Sequence, residues 1–171
     1  MIVVVMGVSG CGKSTVGEAL AKTLRWRFLD ADDFHPQANV DKMARGEPLT
    51  DDDRWPWLDR MAAELRSVLA RGECAVLACS ALKDAYRERL AGAGDVRFVH
   101  LHGDFETIAA RLSSRRHRYM PSTLLASQFA TLEMPDGAFT VDVVESIDAQ
   151  VSAIVAALRL QPRDVLHAAD G

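Results

Sequence analysis

The chain has 171 residues, of which 49% are hydrophobic and 26% charged, and this length predicts one domain. We place that domain at residues 1–160, followed by a tail at 161–171 that lacks a clear pattern and is expected to be mobile. The formal net charge of −4 argues against a nucleic-acid partner. The three cysteines lack metal-ligand spacing, and the N-terminal apolar run is too short for a signal peptide or membrane span. We therefore expect a reduced, cytoplasmic protein without a membrane partner.

Short apolar runs alternate along the chain with segments whose apolar residues recur at helical spacing. This alternation predicts an α/β fold of three layers, in which a five-stranded parallel sheet is flanked by helices on both faces. The predicted strands are residues 2–6, 26–30, 74–79, 96–101 and 138–143. The predicted helices are residues 13–24, 37–46, 50–71, 80–90, 105–114, about 124–132 and 147–158.

The segment GVSGCGKS, from Gly7 to Ser14, fits the phosphate-binding pattern G-x-x-x-x-G-K-[ST] at every fixed position. It stands between a predicted strand and a predicted helix, which is the context that this motif requires. Its glycines let backbone N–H groups converge on an anion, and the helix adds its positive N-terminal end. We predict that Lys13 reaches the β- and γ-phosphates of ATP and that Ser14 binds Mg²⁺. The predicted ATP-binding residues of this segment are Gly7, Ser9, Gly10, Cys11, Gly12, Lys13, Ser14 and Thr15.

Ligands of parallel α/β sheets bind at the carboxyl ends of the strands. The phosphate loop and residues 30–35, 80–83 and 102–104 should therefore lie on one rim. Asp30 and Asp32 follow the second strand, and residues two apart in an extended segment point the same way. We predict that Asp32 is the base that accepts the hydroxyl proton of the acceptor and that Asp30 supports Mg²⁺ through water. The alternative is an Asp-rich turn that only caps the chain.

Cations flank the same rim and favour an anionic substrate, because a buried carboxylate must be paired. Lys83 and Arg87 are four residues apart and are expected to share a helix face. The alternative for this pair is a solvated basic face. His35 follows the two aspartates and is a candidate hydrogen-bonding partner of the substrate. The predicted substrate-binding residues are Asp32, His35, Lys42, Arg54, Ser80, Lys83 and Arg87.

Three arginines, Arg111, Arg115 and Arg118, fall at i, i+4 and i+7 in a polar, basic stretch between two predicted helices. Such a stretch predicts a lid at about residues 113–121 that closes over ATP. Closure would exclude water and bring positive charge to the transferring phosphoryl group. We predict that Arg111 and Arg115 bind ATP and that Arg115 also acts in catalysis. An exposed basic loop is the alternative.

Several of these segments together resemble those of the gluconate kinases (gluconokinases). The most specific match is Lys42–Arg54 followed by Pro56-Trp57-Leu58. The resemblance spans about residues 2–158 and departs from the family pattern in the lid, at His117 and Tyr119-Met120. The other matching segments are the phosphate loop with Met6, Phe28–Asp32 with His35-Pro36, Cys79–Lys83 with Tyr86-Arg87, and Gln128–Glu133.

The resemblance implies a P-loop kinase fold like that of nucleoside monophosphate kinases, with a lid. It also implies ATP-dependent phosphorylation of D-gluconate at its 6-hydroxyl, use of Mg²⁺, and a homodimer. The residues by themselves indicate a small P-loop kinase for a hydroxylated, anionic metabolite. A shikimate-kinase-like enzyme is one alternative, since it also has two aspartates after the second strand. From another class, a nucleotide-dependent switch or binding module is disfavoured, because Asn39 is the only asparagine and is followed by Val40 rather than lysine.

Overall fold

The computed structural model describes residues 1–114 and 122–163, and its core is the expected parallel α/β sheet. All five predicted strands are confirmed, and they lie in the order β2-β3-β1-β4-β5 with every neighbouring pair parallel. Strand β1 therefore occupies the centre, and each of its five residues is buried. The strands are β1 (Ile2–Met6), β2 (Arg27–Asp30), β3 (Ala75–Ala78), β4 (Val96–His102) and β5 (Phe139–Asp142).

Helices connect successive strands and cover both faces of the sheet. They are α1 (Lys13–Leu24), α2 (Gln37–Ala44), α3 (Asp51–Ala70), α4 (Asp84–Ala91), α5 (Phe105–Ser114), α6 (Ser122–Thr131) and α7 (Ile147–Leu158). The helix expected from residue 80 begins only at Asp84, because Ala81 has a left-handed φ of 43° that a helix cannot contain. Residues 31–34, expected to be extended, instead form a short 3₁₀ helix, Ala31–Phe34, after strand β2.

The start of helix α3 is fixed by its own sequence. The hydroxyl of Thr50 accepts the amide of Asp53, and the carboxylate of Asp53 accepts the amide of Thr50, which makes a reciprocal capping box. Asp51, Asp52 and Asp53 place negative charge in the first turn, where it offsets the helix dipole. The capping box therefore fixes where α3 begins, and it places the charged first turn of the helix at the rim of the sheet.

The hydrophobic core has two layers, one on each face of the sheet. Val3 and Val5 of β1 pack with residues of α1, α5, α6 and α7, whereas Ile2, Val4 and Met6 pack with α3 and α4. This alternation along one strand is what a sheet covered on both sides requires. The two layers hold the carboxyl ends of the strands in place, and those ends carry the candidate site.

The segments predicted as lid and tail are described only in part. Residues 115–121 and 164–171 lie outside the described residues, so the expectations for Arg115 and for most of the lid and tail are not tested here. Residues 161–163 are described, and the amide of Arg163 donates to the carbonyl of Leu24 at the end of α1. No helix in the described ranges is long and apolar enough to cross a membrane.

Candidate active site

The phosphate loop lies between the end of β1 and the start of α1. Gly7 and Gly10 have φ values of 139° and 85°. A Cβ on Gly7 would lie 2.8 Å from the carbonyl oxygen of Leu101, and one on Gly10 would lie 2.6 Å from the Cγ of Leu112. Only glycine fits at either position. The N-cap of α1 is Gly12, which has no side chain to bind the first-turn amides, so these remain donors for an anion.

Two side chains of the loop turn back onto the loop itself. The ammonium group of Lys13 donates to the carbonyl of Val8 at 3.0 Å. The thiol of Cys11 is buried, and burial raises its pKa despite the nearby Lys13, so it packs as a small uncharged group. The loop is therefore preformed, and the ammonium group of Lys13 must leave the uncharged carbonyl of Val8 to reach a phosphate.

Ser14 and Asp30 meet beside the loop and form the candidate metal position. The Ser14 hydroxyl donates to Oδ2 of Asp30 at 2.8 Å, and Oδ1 of Asp30 accepts the amide of Asp32 at 3.0 Å. These hard oxygen ligands fit Mg²⁺, which prefers a few protein oxygens together with waters and phosphate oxygens. Among the described residues no group of three or more His, Cys, Asp or Glu side chains forms another candidate metal site.

Asp32 projects from the 3₁₀ helix with its side chain 70% exposed. Its neighbour His35 is only 5% exposed in its side chain, with Nε2 4.0 Å from Oδ1 of Asp32. The His35 ring stacks on Trp57, with a centroid distance of 4.4 Å, and Trp57 donates to the carbonyl of Ala31 at 2.7 Å. Burial lowers the pKa of His35, although Asp32 acts to raise it. In this structure His35 is thus a neutral packing residue under the turn that carries Asp32.

Cations predicted to bind the substrate converge on one carboxylate. We call Asp51, Arg54, Lys83 and Tyr86 the Asp51 cluster. Lys83 donates to both oxygens of Asp51 at 2.7 and 2.9 Å, and Arg54 Nη1 lies 3.6 Å from Oδ1. The Tyr86 hydroxyl donates to the same carboxylate and accepts from Arg54 at 3.2 Å. The hydrogen bonds from Lys83 and Tyr86 lower the pKa of Asp51, so the cluster holds two cations and one anion.

A second ion pair lies beside this cluster. The ammonium group of Lys42 on α2 donates to Oδ2 of Asp53 at 2.6 Å. Together with the hydrogen bonds from Thr50, it lowers the pKa of Asp53 to about 2. Lys42 is therefore placed near the predicted substrate side chains, but its charge is already matched. Ser80 lies at the same rim, where its carbonyl accepts the amide of Gly7 at 3.3 Å.

Arg87 does not share a face with Lys83, contrary to the sequence-based expectation. Lys83 precedes helix α4, whereas Arg87 lies within it and is buried. Its guanidinium donates to the carbonyls of Ala81 and Leu82 at 2.9 and 3.1 Å and also pairs with Asp84. In this structure Arg87 holds the loop on which Lys83 stands, and its direct contact with substrate stays a prediction.

Helix α6 supplies residues that sequence reasoning did not place in the site. Oε1 of Gln128 accepts the amide of Ser9 in the phosphate loop at 2.6 Å. The only sequence signal was that Gln128 begins one of the segments shared with the gluconate kinases. In the last turn of helix α5, Arg111 donates to the carbonyl of Val143, and its charge acts on Cys11 of the phosphate loop.

A cavity of about 160 Å³ lies between α6 and the end of β4. Nδ1 of His100 is buried and lacks a hydrogen-bond partner among the described residues. The lining residues are Val8, His100, Leu101, His102, Gly103, Phe129, Leu132 and Met134.

Comparisons with known proteins agree with this geometry. A family model described as shikimate kinase matches residues 9–132. A probable gluconokinase from Xenopus tropicalis is 45% identical in an alignment of 173 positions, gaps included, that covers 90% of this chain and 91% of that protein. The chain belongs to the gluconokinase family. The crystal structure of a gluconokinase from Sinorhizobium meliloti 1021 has 44% identity to it and a TM-score of 0.82, covering 92% of this chain and 90% of that one.

Membership of the gluconokinase family confirms the resemblance found in the sequence. It also makes the chain a kinase with a P-loop fold, which uses a nucleotide, and leaves the switch or binding-module alternative without support. The shikimate kinase alternative has the support of the family model over residues 9–132, whereas the relatives named above are gluconokinases. The structure of shikimate kinase from Aquifex aeolicus vf5 has 17% identity and a TM-score of 0.57, over 93% of this chain and 96% of that one.

Proposed function

We propose that this chain transfers the terminal phosphate of ATP to the 6-hydroxyl of D-gluconate. The observation that carries the proposal is the Asp51 cluster, in which Lys83 and Arg54 already hold a carboxylate at the same rim as the phosphate loop. A site that binds its own carboxylate in this way has the chemistry to bind that of a sugar acid. Membership of the gluconokinase family supports gluconate as the acceptor.

The nucleotide half of the site is assigned to the phosphate loop and α1. The amides of Gly7 and Ser9 already donate to Ser80 and Gln128, so the backbone amides from Gly10 to Thr15 would surround the phosphates, with Lys13 leaving the Val8 carbonyl to reach the transferred group. Ser14 and Asp30 would hold Mg²⁺, Asp30 through a water molecule, and the bound ion would neutralise phosphate charge. Arg111 would contact the nucleotide from α5, and we assign Arg115 to the nucleotide and the transition state.

The chemical step is a direct transfer between two oxygens. The 6-hydroxyl oxygen of gluconate forms a bond to the γ-phosphorus while the bond from that phosphorus to the β–γ bridging oxygen breaks, and ADP leaves. The hydroxyl proton goes to Asp32. Asp32 is better suited to this than Asp30, because both oxygens of Asp30 already accept hydrogen bonds and Asp32 is largely exposed.

The acceptor half binds the rest of the substrate through side chains. The Asp51 cluster carries one excess positive charge, which matches the single carboxylate of gluconate and disfavours a dianion. Ser80 and Lys42 are assigned to its hydroxyls. His35 and Arg87 contribute by holding the Asp32 turn and the Lys83 loop, and direct contact of either with gluconate is part of the proposal that an enzyme–gluconate structure would test.

A coupled assay of ADP release tests the proposed activity. Release should require both Mg²⁺ and gluconate, and shikimate or other sugar acids at the same concentration should support much less of it. Phosphorus NMR of the product should show a phosphate monoester at carbon 6. Faster turnover with shikimate than with gluconate, or ADP release that ignores the acceptor, would contradict the proposal.

Three further proposals come from the sequence analysis, and the homodimer among them is implied by the family resemblance. We infer a single catalytic domain at residues 1–160 with a lid at about 113–121, a homodimer, and a cytoplasmic location. Light scattering on the eluting protein measures the oligomeric state, and a mass equal to one chain would overturn the dimer. Cell fractionation of the source organism tests the location independently.

A further inference from the structure

Helix α6 contacts the phosphate loop through the polar side chain of Gln128. Gln128, half-buried on the helix, accepts the amide of Ser9 with its Oε1 at 2.6 Å. Ser9 lies two residues after the start of the loop, between Gly7 and Gly10, so this hydrogen bond fixes the loop at the place where the transferred phosphate would lie. Any shift of α6 along this bond also shifts the Ser9 amide.

The C-terminal end of α6 contacts the loop that carries a predicted substrate cation. The amide of Glu133, just after the helix, donates to the carbonyl of Leu82 at 2.9 Å. The carboxylate of Glu133 accepts the amide of Asp84, in the first turn of α4. These two hydrogen bonds enclose Lys83, so the position of Lys83 in the Asp51 cluster depends on the end of α6.

The path from the Gln128 contact to the Glu133 contact is short, because the two residues are five apart at the C-terminal end of α6. Leu132 packs against both core layers, and Phe129 packs against Phe105 of α5 with a centroid distance of 5.6 Å. A close-packed helix moves as a unit rather than deforming. The cavity of about 160 Å³ that Phe129 and Leu132 line gives the helix room to shift, which fully packed surroundings would prevent.

We propose that Gln128 is a positioning residue that couples ATP binding to gluconate binding through helix α6. It holds Ser9 while Glu133 holds the Lys83 loop, so a nucleotide that shifts the Ser9 amide on binding also shifts the Lys83 loop of the acceptor half. Each ligand should therefore tighten the binding of the other by the same factor, as linkage requires. The inference rests on the proposed function, because it takes ATP and gluconate as the two ligands.

Titration calorimetry tests the coupling directly. Gluconate affinity is measured with and without a non-hydrolysable ATP analogue and Mg²⁺, and we expect the native chain to bind gluconate at least about fivefold tighter with the analogue. Gln128→Met keeps the side-chain length but has no oxygen acceptor, and this ratio should fall to about one. Gln128→Glu keeps an oxygen acceptor and should retain more of the ratio than Gln128→Met, although its charge weakens ATP binding.

Two controls separate coupling from a structural defect. Ser127→Ala, an exposed position on the same helix, should leave the ratio unchanged. Gln128→Met should also lower kcat by about tenfold while the affinity for each ligand alone changes by less than about fivefold, the effect of one neutral hydrogen bond. An unchanged ratio in folded Gln128→Met, or a native ratio of one, would overturn the inference. Failure of the native chain to phosphorylate gluconate would instead overturn the proposed function.

Discussion

The phosphate loop presents backbone amides from one continuous segment, whereas the acceptor half relies on side chains from α2, α3 and the loop before α4. In the loop, Lys13 donates to the uncharged carbonyl of Val8. In the acceptor half, Lys83 and Lys42 are each held by a carboxylate, Asp51 and Asp53. A backbone site is ready for its anion, while a side-chain site must exchange partners to bind one.

This difference separates two kinds of effect. Groups of the nucleotide half offset charge that develops on the transferred phosphoryl group, so their loss should appear mainly in kcat. Groups of the acceptor half exchange one carboxylate for another, so their loss should appear mainly in substrate recognition. The coupling assigned to α6 is what would join the two halves into one catalytic unit.

Replacing Lys13 by alanine should have the largest effect. One positive charge on a transferring phosphoryl group is worth on the order of 10³-fold or more in rate, as arginine fingers show. We therefore expect kcat for ADP formation to fall by about that factor while the circular dichroism spectrum stays native. Lys22 is exposed on the same helix, so Lys22→Ala is the matched control and should keep native turnover. Near-native turnover of a folded Lys13→Ala chain would show that Lys13 does not act on the transferred phosphoryl group. The proposed division into a nucleotide half that sets kcat and an acceptor half that sets recognition would then be wrong.

Replacing Asp32 by asparagine should have the next largest effect. Loss of a general base typically costs about 10²–10⁴-fold, and phosphoryl transfer depends more on positioning, so we expect kcat to fall by about 10²–10³-fold. ATP affinity, measured by calorimetry, should change little because the hydrogen bonds of Asp32 found among the described residues go to Asp30 and His35.

Asp30→Asn is the matched comparison for Asp32→Asn, since Asp30 bonds Ser14 directly. It should raise the Mg²⁺ concentration needed for half-maximal activity more than it lowers kcat at saturating Mg²⁺. If the metal defect belongs to Asp32 and the purely catalytic defect to Asp30, the two roles are reversed. If neither variant differs from the native chain, the carboxylates only cap the turn.

Replacing Lys83 or Arg54 by alanine should have a smaller effect, confined to the acceptor half. Loss of one charge-assisted hydrogen bond costs on the order of 1.5–3 kcal/mol, so kcat/KM for gluconate should fall about ten- to a hundredfold. ATP affinity should stay near native. A loss of ATP affinity with an unchanged KM for gluconate would place these cations in the nucleotide half instead.

Asp51→Asn sharpens the same test, because it removes the carboxylate that the substrate must replace. With Lys83 and Arg54 left unmatched, the substrate carboxylate should bind at least as tightly as in the native chain. The KM for gluconate should therefore stay level or fall, in the opposite direction to Lys83→Ala. A KM that rises in both variants would show that Asp51 orients the cations rather than competing with gluconate.

The sequence predicted the parts of this site that depend on neighbouring residues. The five strands, the phosphate loop and the cap of α3 follow from patterns a few residues long, and Thr50 with Asp53 illustrates this. The pairing of Lys83 with Asp51 joins residues 32 apart, and that of Ser9 with Gln128 joins residues 119 apart. No local pattern specifies such contacts, so the cations were predicted but their partners were not.

The two errors of local structure have the same origin. Residues 80–83 were expected to begin a helix, but Arg87 binds the carbonyls of Ala81 and Leu82 and holds Ala81 in a left-handed conformation. Residues 31–34 were expected to be extended, but Asp30 caps a 3₁₀ turn and the side chain of Trp57 binds the carbonyl of Ala31. In both places a side chain outside the segment overrides its preference, although Trp57 is 26 residues from Ala31 and Arg87 is only five or six residues from the carbonyls that it binds.

The smallest expected effect is a loss of folding stability in acid, and it involves two histidines in different parts of the fold. His35 lies in the acceptor half, facing Asp32, Arg54 and Asn39, and His100 lines the cavity under α6, facing His102 and Arg87. Burial lowers the pKa of both rings.

Because the folded-state pKa of each ring lies below the unfolded value of about 6.5, the unfolded chain binds more protons as the solution becomes acidic. The stability that these two histidines contribute is therefore complete above about pH 6.5 and is lost as the pH falls below it. Asp53, with a pKa of about 2 in the fold, stays ionised throughout this range and contributes no slope there.

Urea unfolding at pH 7.5 and 5.5 measures this slope. The free energy of unfolding of the native chain should be lower at pH 5.5, and the difference between the two pH values should shrink in His35→Asn and in His100→Asn. Asp53→Asn should lower stability at both pH values by similar amounts, because it removes a cap whose charge does not change between them. If both histidine variants keep the full native difference, neither ring is held neutral by burial, and the acid sensitivity belongs to other groups.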